Sequence, residues 1–139
     1  MKKLISILLL LIMVLTLAGC QGGVDTEQAD KDIDAFFQAV GTGDFATAQT
    51  HMHPSTKDDL QAFFNDLETQ NSALDFQDGL TWEREMNIEY SLYHSSVDGS
   101  RYVRSFRLHA GDVALRAEIT IVSNEAGYGI YSLNIESAD

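Results

Sequence analysis

Val113-Ala114-Leu115-Arg116-Ala117-Glu118-Ile119-Thr120-Ile121 is the stretch on which the reading of the fold turns. Val113, Leu115, Ala117, Ile119 and Ile121 alternate with Ala114, Arg116, Glu118 and Thr120, the period-2 pattern of a strand with one face on a core. The preceding segment, Tyr102–His109, has a matching apolar face, and Gly111-Asp112 between the two is a two-residue turn with glycine first. That turn fixes the register. It sets Leu108 opposite Leu115, Phe106 opposite Ala117, Arg104 opposite Ile119 and Tyr102 opposite Ile121, so the apolar faces coincide. On the other face Arg107 meets Arg116, a like-charge pair that the diagonal Glu118 is placed to relieve.

Upstream, Ile88, Tyr90, Leu92 and His94 share one face of another strand. A tight Asp98-Gly99 turn would direct that face outward. A five-residue loop with Gly99 in a bulge keeps it inward, pairing Leu92 with Arg104 and Tyr90 with Phe106 and setting His94 against Tyr102. The bulged loop is the reading adopted. Downstream, Asn124-Glu125-Ala126-Gly127 is a turn, and Tyr128–Ile135 forms a last strand.

The first half of the chain has helical periodicity instead. Ala29, Ile33, Phe36, Phe37 and Val40 fall on one helix face, and Gly41 is placed to end that helix. Asp44 caps a short helix carrying Phe45, Ala48 and Met52, which Pro54 stops. Ser55 opens a third helix, with Asp58 as a capping-box partner and Leu60, Phe63, Phe64 and Leu67 on its apolar face. Helices followed by a meander predict an α+β domain, with N-terminal helices packed on a curved antiparallel β-sheet.

The amino terminus carries a different signal. Lys2 and Lys3 precede an apolar run from Leu4 to Leu17, broken by Ser6 and Thr16, and small residues follow. A basic start, an apolar core and a small-residue end define a secretory signal peptide, and the run is too short for an ordinary spanning helix. Leu17-Ala18-Gly19-Cys20 resembles the lipobox of bacterial lipoproteins. The resemblance implies cleavage before Cys20, a diacylglycerol on its sulfur, and a protein held on the outer side of the cell membrane. Cys20 is the only cysteine, so no internal disulfide can form. The chain then divides into a leader at 1–19, a lipidated cysteine and flexible tether at 20–29, and one domain at 30–139.

Losing the leader leaves 120 of 139 residues, enough for one core. It also lowers the basic count from 9 to 7 against 21 acids, a formal charge of −14. Such a charge repels nucleic acid, which is excluded as a partner, and it repels anionic headgroups.

Phe36-Phe37-Gln38-Ala39-Val40-Gly41-Thr42-Gly43-Asp44-Phe45-Ala46-Thr47-Ala48 is similar to the opening helix, Gly-Asp turn and next helix of the nuclear transport factor 2-like (cystatin-like) superfamily. Gly127-Tyr128-Gly129-Ile130-Tyr131-Ser132-Leu133 resembles its closing strand. The resemblance spans roughly residues 30–139 and implies a cone, in which a curved sheet wraps the helices. It also implies homodimerisation through the outer sheet face as one available state. Enzymes of the superfamily move protons with an Asp or an Asp–His pair, but their motifs match no particular residue here.

Arg104 is the odd residue on the inner sheet face. A cation there must find an anion or an opening, because burying it unpaired is costly. With His94, Tyr90 and Tyr102 it is expected to line the polar part of a pocket for a small anionic or aromatic ligand; pairing with an internal carboxylate is the structural alternative. His51 and His53 bracket Met52, but side chains two apart at a helix end diverge, so they are read as solvated and no metal is assigned. Trp82 is read as core packing. No nucleophile elbow, phosphate loop or dinucleotide fingerprint occurs, and no cofactor is implied. The function expected is a non-catalytic accessory domain binding a small ligand or an envelope protein, with a small acid–base isomerase or hydrolase as the alternative.

Overall fold

A computed structural model of the protein describes residues 23–138. The leader and Cys20, which carry the expectations of export and lipidation, lie outside the described residues. Asp25 opens the first helix by accepting the N–H groups of Glu27 and Gln28, at 3.1 Å each. Helix α1 then runs over Thr26–Gly41, so residues 26–29, read as tether, form its first turn. Ala29, Ile33, Phe36, Phe37 and Val40 are all buried, as the periodicity requires. Asp44 caps α2, Phe45–Gln49, accepting the Thr47 N–H at 3.0 Å.

Helix α3 covers Leu60–Gln70 and starts later than expected. Asp59 is its cap, accepting from Ala62 N–H at 3.1 Å. Ser55 does not serve, because residues 53–56 form a turn of their own. Thr56 gives both its N–H and its hydroxyl to the His53 carbonyl, at 3.0 and 2.8 Å.

Four strands follow, β1 (Thr81–His94), β2 (Gly99–Ala110), β3 (Val113–Asn124) and β4 (Gly127–Ser137), in the antiparallel order β1-β2-β3-β4. The fold is α+β, with helices N-terminal to a curved, open antiparallel sheet. The β2–β3 register agrees at all four predicted pairs, from Leu108–Leu115 to Tyr102–Ile121. The β1–β2 register does not. Ile88 lies opposite Arg104 and Tyr90 opposite Tyr102, a slide of four residues from the expected pairing, and His94 lies opposite Gly99, a slide of three.

The physical reason is where the extra residues go. Val97 is buried, its carbonyl accepts the Asn124 side-chain amide at 2.8 Å, and its N–H donates to His94 at 3.2 Å, which pins a short loop. The surplus is absorbed in irregularities between Arg84 and Ile88 and between Ser91 and His94. A slide by an even number leaves Ile88 and Tyr90 on their expected face, whereas the irregularity after Ser91 makes the slide odd at His94.

The core lies between α1 and the inner face of β2 and β3. Phe37 packs edge-on against Phe106 at 5.4 Å and in a tilted arrangement against Trp82 at 5.5 Å. Phe64, from α3, meets Phe36 at 6.5 Å and Phe76 at 4.8 Å. Each such side chain contributes about 1.5–3 kcal/mol by leaving water. No helix among the described residues is long and apolar enough to cross a membrane.

Candidate functional site

Asp30 and Asp34 stand one helical turn apart on α1, so both carboxylates reach the same part of the sheet. Trp82 Nε1–H donates to Asp34 Oδ1 at 2.9 Å, and Arg84 Nη2 donates to Asp34 Oδ2. Arg84 Nε stands 3.7 Å from Asp30 Oδ2, and the Tyr102 hydroxyl donates to Asp30 Oδ1 at 2.9 Å. The five side chains clamp α1 to β1 and β2. Burial holds the Tyr102 phenol above its ordinary pKa, and its bond to Asp30 adds to this. Arg104 acts on the same hydroxyl in the opposite sense, which places its guanidinium beside Tyr102.

Of the residues expected to share a pocket, the register brings Tyr90, Tyr102 and Arg104 together. Tyr102 is buried, Tyr90 lies across the strand from it and is half-exposed, and Arg104 sits between Ile88 and Ile119. His94 is carried away to the hairpin end, where its Nδ1 accepts from Ser96 N–H at 3.3 Å and lies 2.6 Å from Ser96 Oγ. The Nε of Arg104 is buried and meets no acceptor among the described residues.

Cavities among the described residues lie elsewhere as well. One of about 440 Å³ opens on the outer sheet face, with Glu89, Ser105, Arg116, Glu118 and Glu136 in its lining. Another, about 460 Å³, is lined by Glu83, Glu85, Arg107 and Arg116. A third, about 290 Å³, lies between the start of α3 and β4, lined by Leu60, Phe63, Leu133, Asp58, Asp59 and Asp66. The outer-face arginines are relieved by a residue the sequence reading did not choose. Glu85 Oε2 stands 3.0 Å from Arg116 Nη2, and its Oε1 stands 3.9 Å from Arg107 Nη2. The bulge in β1 delivers Glu85 there, in the role expected of Glu118.

His53 is the second departure. It is 1% exposed rather than solvated. Its Nδ1 accepts from Ser55 N–H at 3.1 Å, so Nε2 carries the proton and faces Asn124 Oδ1 at 3.1 Å and the Gly127 carbonyl at 3.2 Å. Backbone bonds from His53 N–H to the Ile130 carbonyl, and from Ile130 N–H to the His51 carbonyl, add a short bridge along β4. Gly129 is required at this seam. Its φ is +152°, and a Cβ there would lie 2.7 Å from the Met52 and His53 backbone.

The Asp30–Asp34–Arg84 clamp escaped the sequence reading. The available signal was the pair of acids four apart on α1, together with Trp82 and Arg84 two apart on a strand. Among the described residues, no group of three or more His, Cys, Asp or Glu side chains is arranged to hold a metal ion. The class these features define is a small α+β domain with a helix clamped to one end of a meander. Neither a scan against protein-family models nor a search of the curated proteins finds a match to the chain.

Proposed function

We propose that this chain is a membrane-tethered, extracytoplasmic lipoprotein whose folded part is a non-catalytic accessory domain. It binds a small anionic ligand or a carboxylate of an envelope protein at Arg104. The observation that carries this reading is the buried Arg104 Nε, which has no acceptor among the described residues. A guanidinium offers five donors in a planar fork suited to carboxylates. The neighbouring acids are already engaged: Asp30 by Tyr102 and Arg84, Asp34 by Trp82 and Arg84. A small acid–base enzyme, the alternative, needs a carboxylate or His free to move a proton, and these two serve as anchors instead. The lipid tether is supported by Leu17-Ala18-Gly19-Cys20 and the apolar run before it.

Arg104 and Arg84 together provide the test. A binding residue with an unmet donor makes little contribution to stability, so Arg104→Ala should leave the melting temperature unchanged or raise it. Arg84→Ala breaks the clamp and should lower it. An equal fall in both variants would make Arg104 a structural residue and remove the binding role. Cys20→Ser should move the protein out of the membrane fraction; retention there would sink the tether.

A further inference from the structure

Along β1 an apolar row stays bare. Ile88 is 58% exposed, Tyr90 45% and Leu92 68%, while Met86 in the adjacent bulge is 97% exposed. These alternate residues lie on the inner side of the sheet, yet α1 covers β2 and β3 and leaves them uncovered. Contiguous exposed apolar side chains mark a contact surface.

The positions of Gly23 and Val24 indicate what covers the row. Gly23 lies against it: a Cβ at Gly23 would collide with the Tyr90 hydroxyl and stand 3.0 Å from Leu92 Cδ1. Val24 N–H donates to Ser100 Oγ at 2.9 Å, and the Val24 side chain is 5% exposed. Helix α1 starts at Thr26. The chain is therefore fixed to the β1–β2 hairpin from Gly23 onward, with no slack after it. Cys20 is three positions upstream, and three residues reach at most about 10 Å.

We propose that the row Ile88-Tyr90-Leu92 rests on the lipid bilayer beside the diacylglycerol of Cys20, so that the membrane surface is its occupant. This rests on the lipoprotein reading above. A tether this short makes docking an intramolecular event at high effective concentration. Tyrosine is suited to the interface, with an apolar ring and a polar tip. The net negative charge opposes approach, but exposed charges beyond about 8 Å are largely screened at physiological ionic strength. Arg104, across the strand from Ile88, places a positive charge on the row's own face.

The test uses the full chain, produced in a bacterial host and purified from its membranes. Mass spectrometry of the N-terminal peptide first asks whether Cys20 carries diacylglycerol. Acylation of Cys20 leaves an introduced cysteine as the only thiol, so Leu92→Cys, Ile88→Cys and, on exposed α3, Gln61→Cys each take one environment-sensitive fluorophore. The proteins are placed in phosphatidylcholine vesicles carrying a nitroxide-labelled acyl chain. Docking predicts loss of most of the fluorescence at positions 92 and 88 and little loss at 61. Equal, weak quenching at all three sites on an acylated protein overturns the docking and leaves the lipoprotein reading standing. An unacylated Cys20 overturns both. Protection of position 92 from thiol reagents in native membranes, without quenching in vesicles, assigns the row to a protein partner and also overturns the proposal.

Discussion

Ile119 and Ile121 on β3, and Ile88 and Leu92 on β1, obey the same alternating pattern and end in opposite environments. The first pair is 0% exposed and the second 58% and 68%. A period of two states which side of a sheet a residue occupies, not whether anything stands opposite it. Over β3 the opposing layer is α1, with Ile33, Phe36 and Phe37. Over the second half of β1 no helix stands among the described residues. The two outer strands differ likewise: β4 is bridged by Met52 and sealed by His53, whereas β1 carries no bridge of that kind among the described residues.

That contrast can be broken most directly by matched substitutions. Ile119→Ala removes a buried side chain and leaves a cavity, and it should cost about 2–5 kcal/mol in urea or guanidinium unfolding. Ile88→Ala should stay within about 0.5 kcal/mol, as an exposed change does. Similar losses at both positions would mean that the two faces are not distinct in solution.

A smaller effect sharpens the difference between the edges. His53→Ala strips partners from Ser55 N–H, Asn124 Oδ1 and the Gly127 carbonyl, and it should cost about 1–3 kcal/mol. Hydrogen exchange should then quicken at Ile130 and leave the β1 amides unaltered. Uniform quickening over all four strands would mean that the seam does not act locally.

The smallest effect is at Asp44. Its hydrogen bonds from the Thr47 hydroxyl and N–H hold the carboxyl below the usual carboxylate range. A depressed folded pKa stabilises the fold above the unfolded value, about 3.9, and that contribution is lost as pH falls through the folded one. Asp44→Asn should therefore lower stability slightly at neutral pH and converge on the unsubstituted protein in acid, which flattens the acid limb of the stability curve. A loss that persists undiminished in acid would mean that the cap acts through something other than its charge.

Much of the fold was legible because short-range rules determine it. The β2–β3 register followed from a two-residue turn, which leaves no freedom to slide, and the α1 face followed from five apolar residues at helical spacing. Asp44 as a cap followed from its place before Phe45. Where several neighbours could do the same work, the sequence did not choose among them. Ser55, Asp58 and Asp59 can each cap a helix, and the Thr56 bonds to the His53 carbonyl decide for Asp59. Glu85 and Glu118 can each answer Arg107 and Arg116, and the β1 bulge decides for Glu85.

By itself, then, the sequence determined the α+β class, the order of elements, the central hairpin and the inner face of each strand, because turn length and periodicity are local constraints. Tertiary structure alone decided the β1 register, the burial of His53, the clamp of Asp30 and Asp34 on Trp82, Arg84 and Tyr102, and the bare row on β1. Each depends on residues far apart in the chain meeting through packing. Bulges that cost the chain little locally can shift such meetings by several residues, and no pattern along one strand records them.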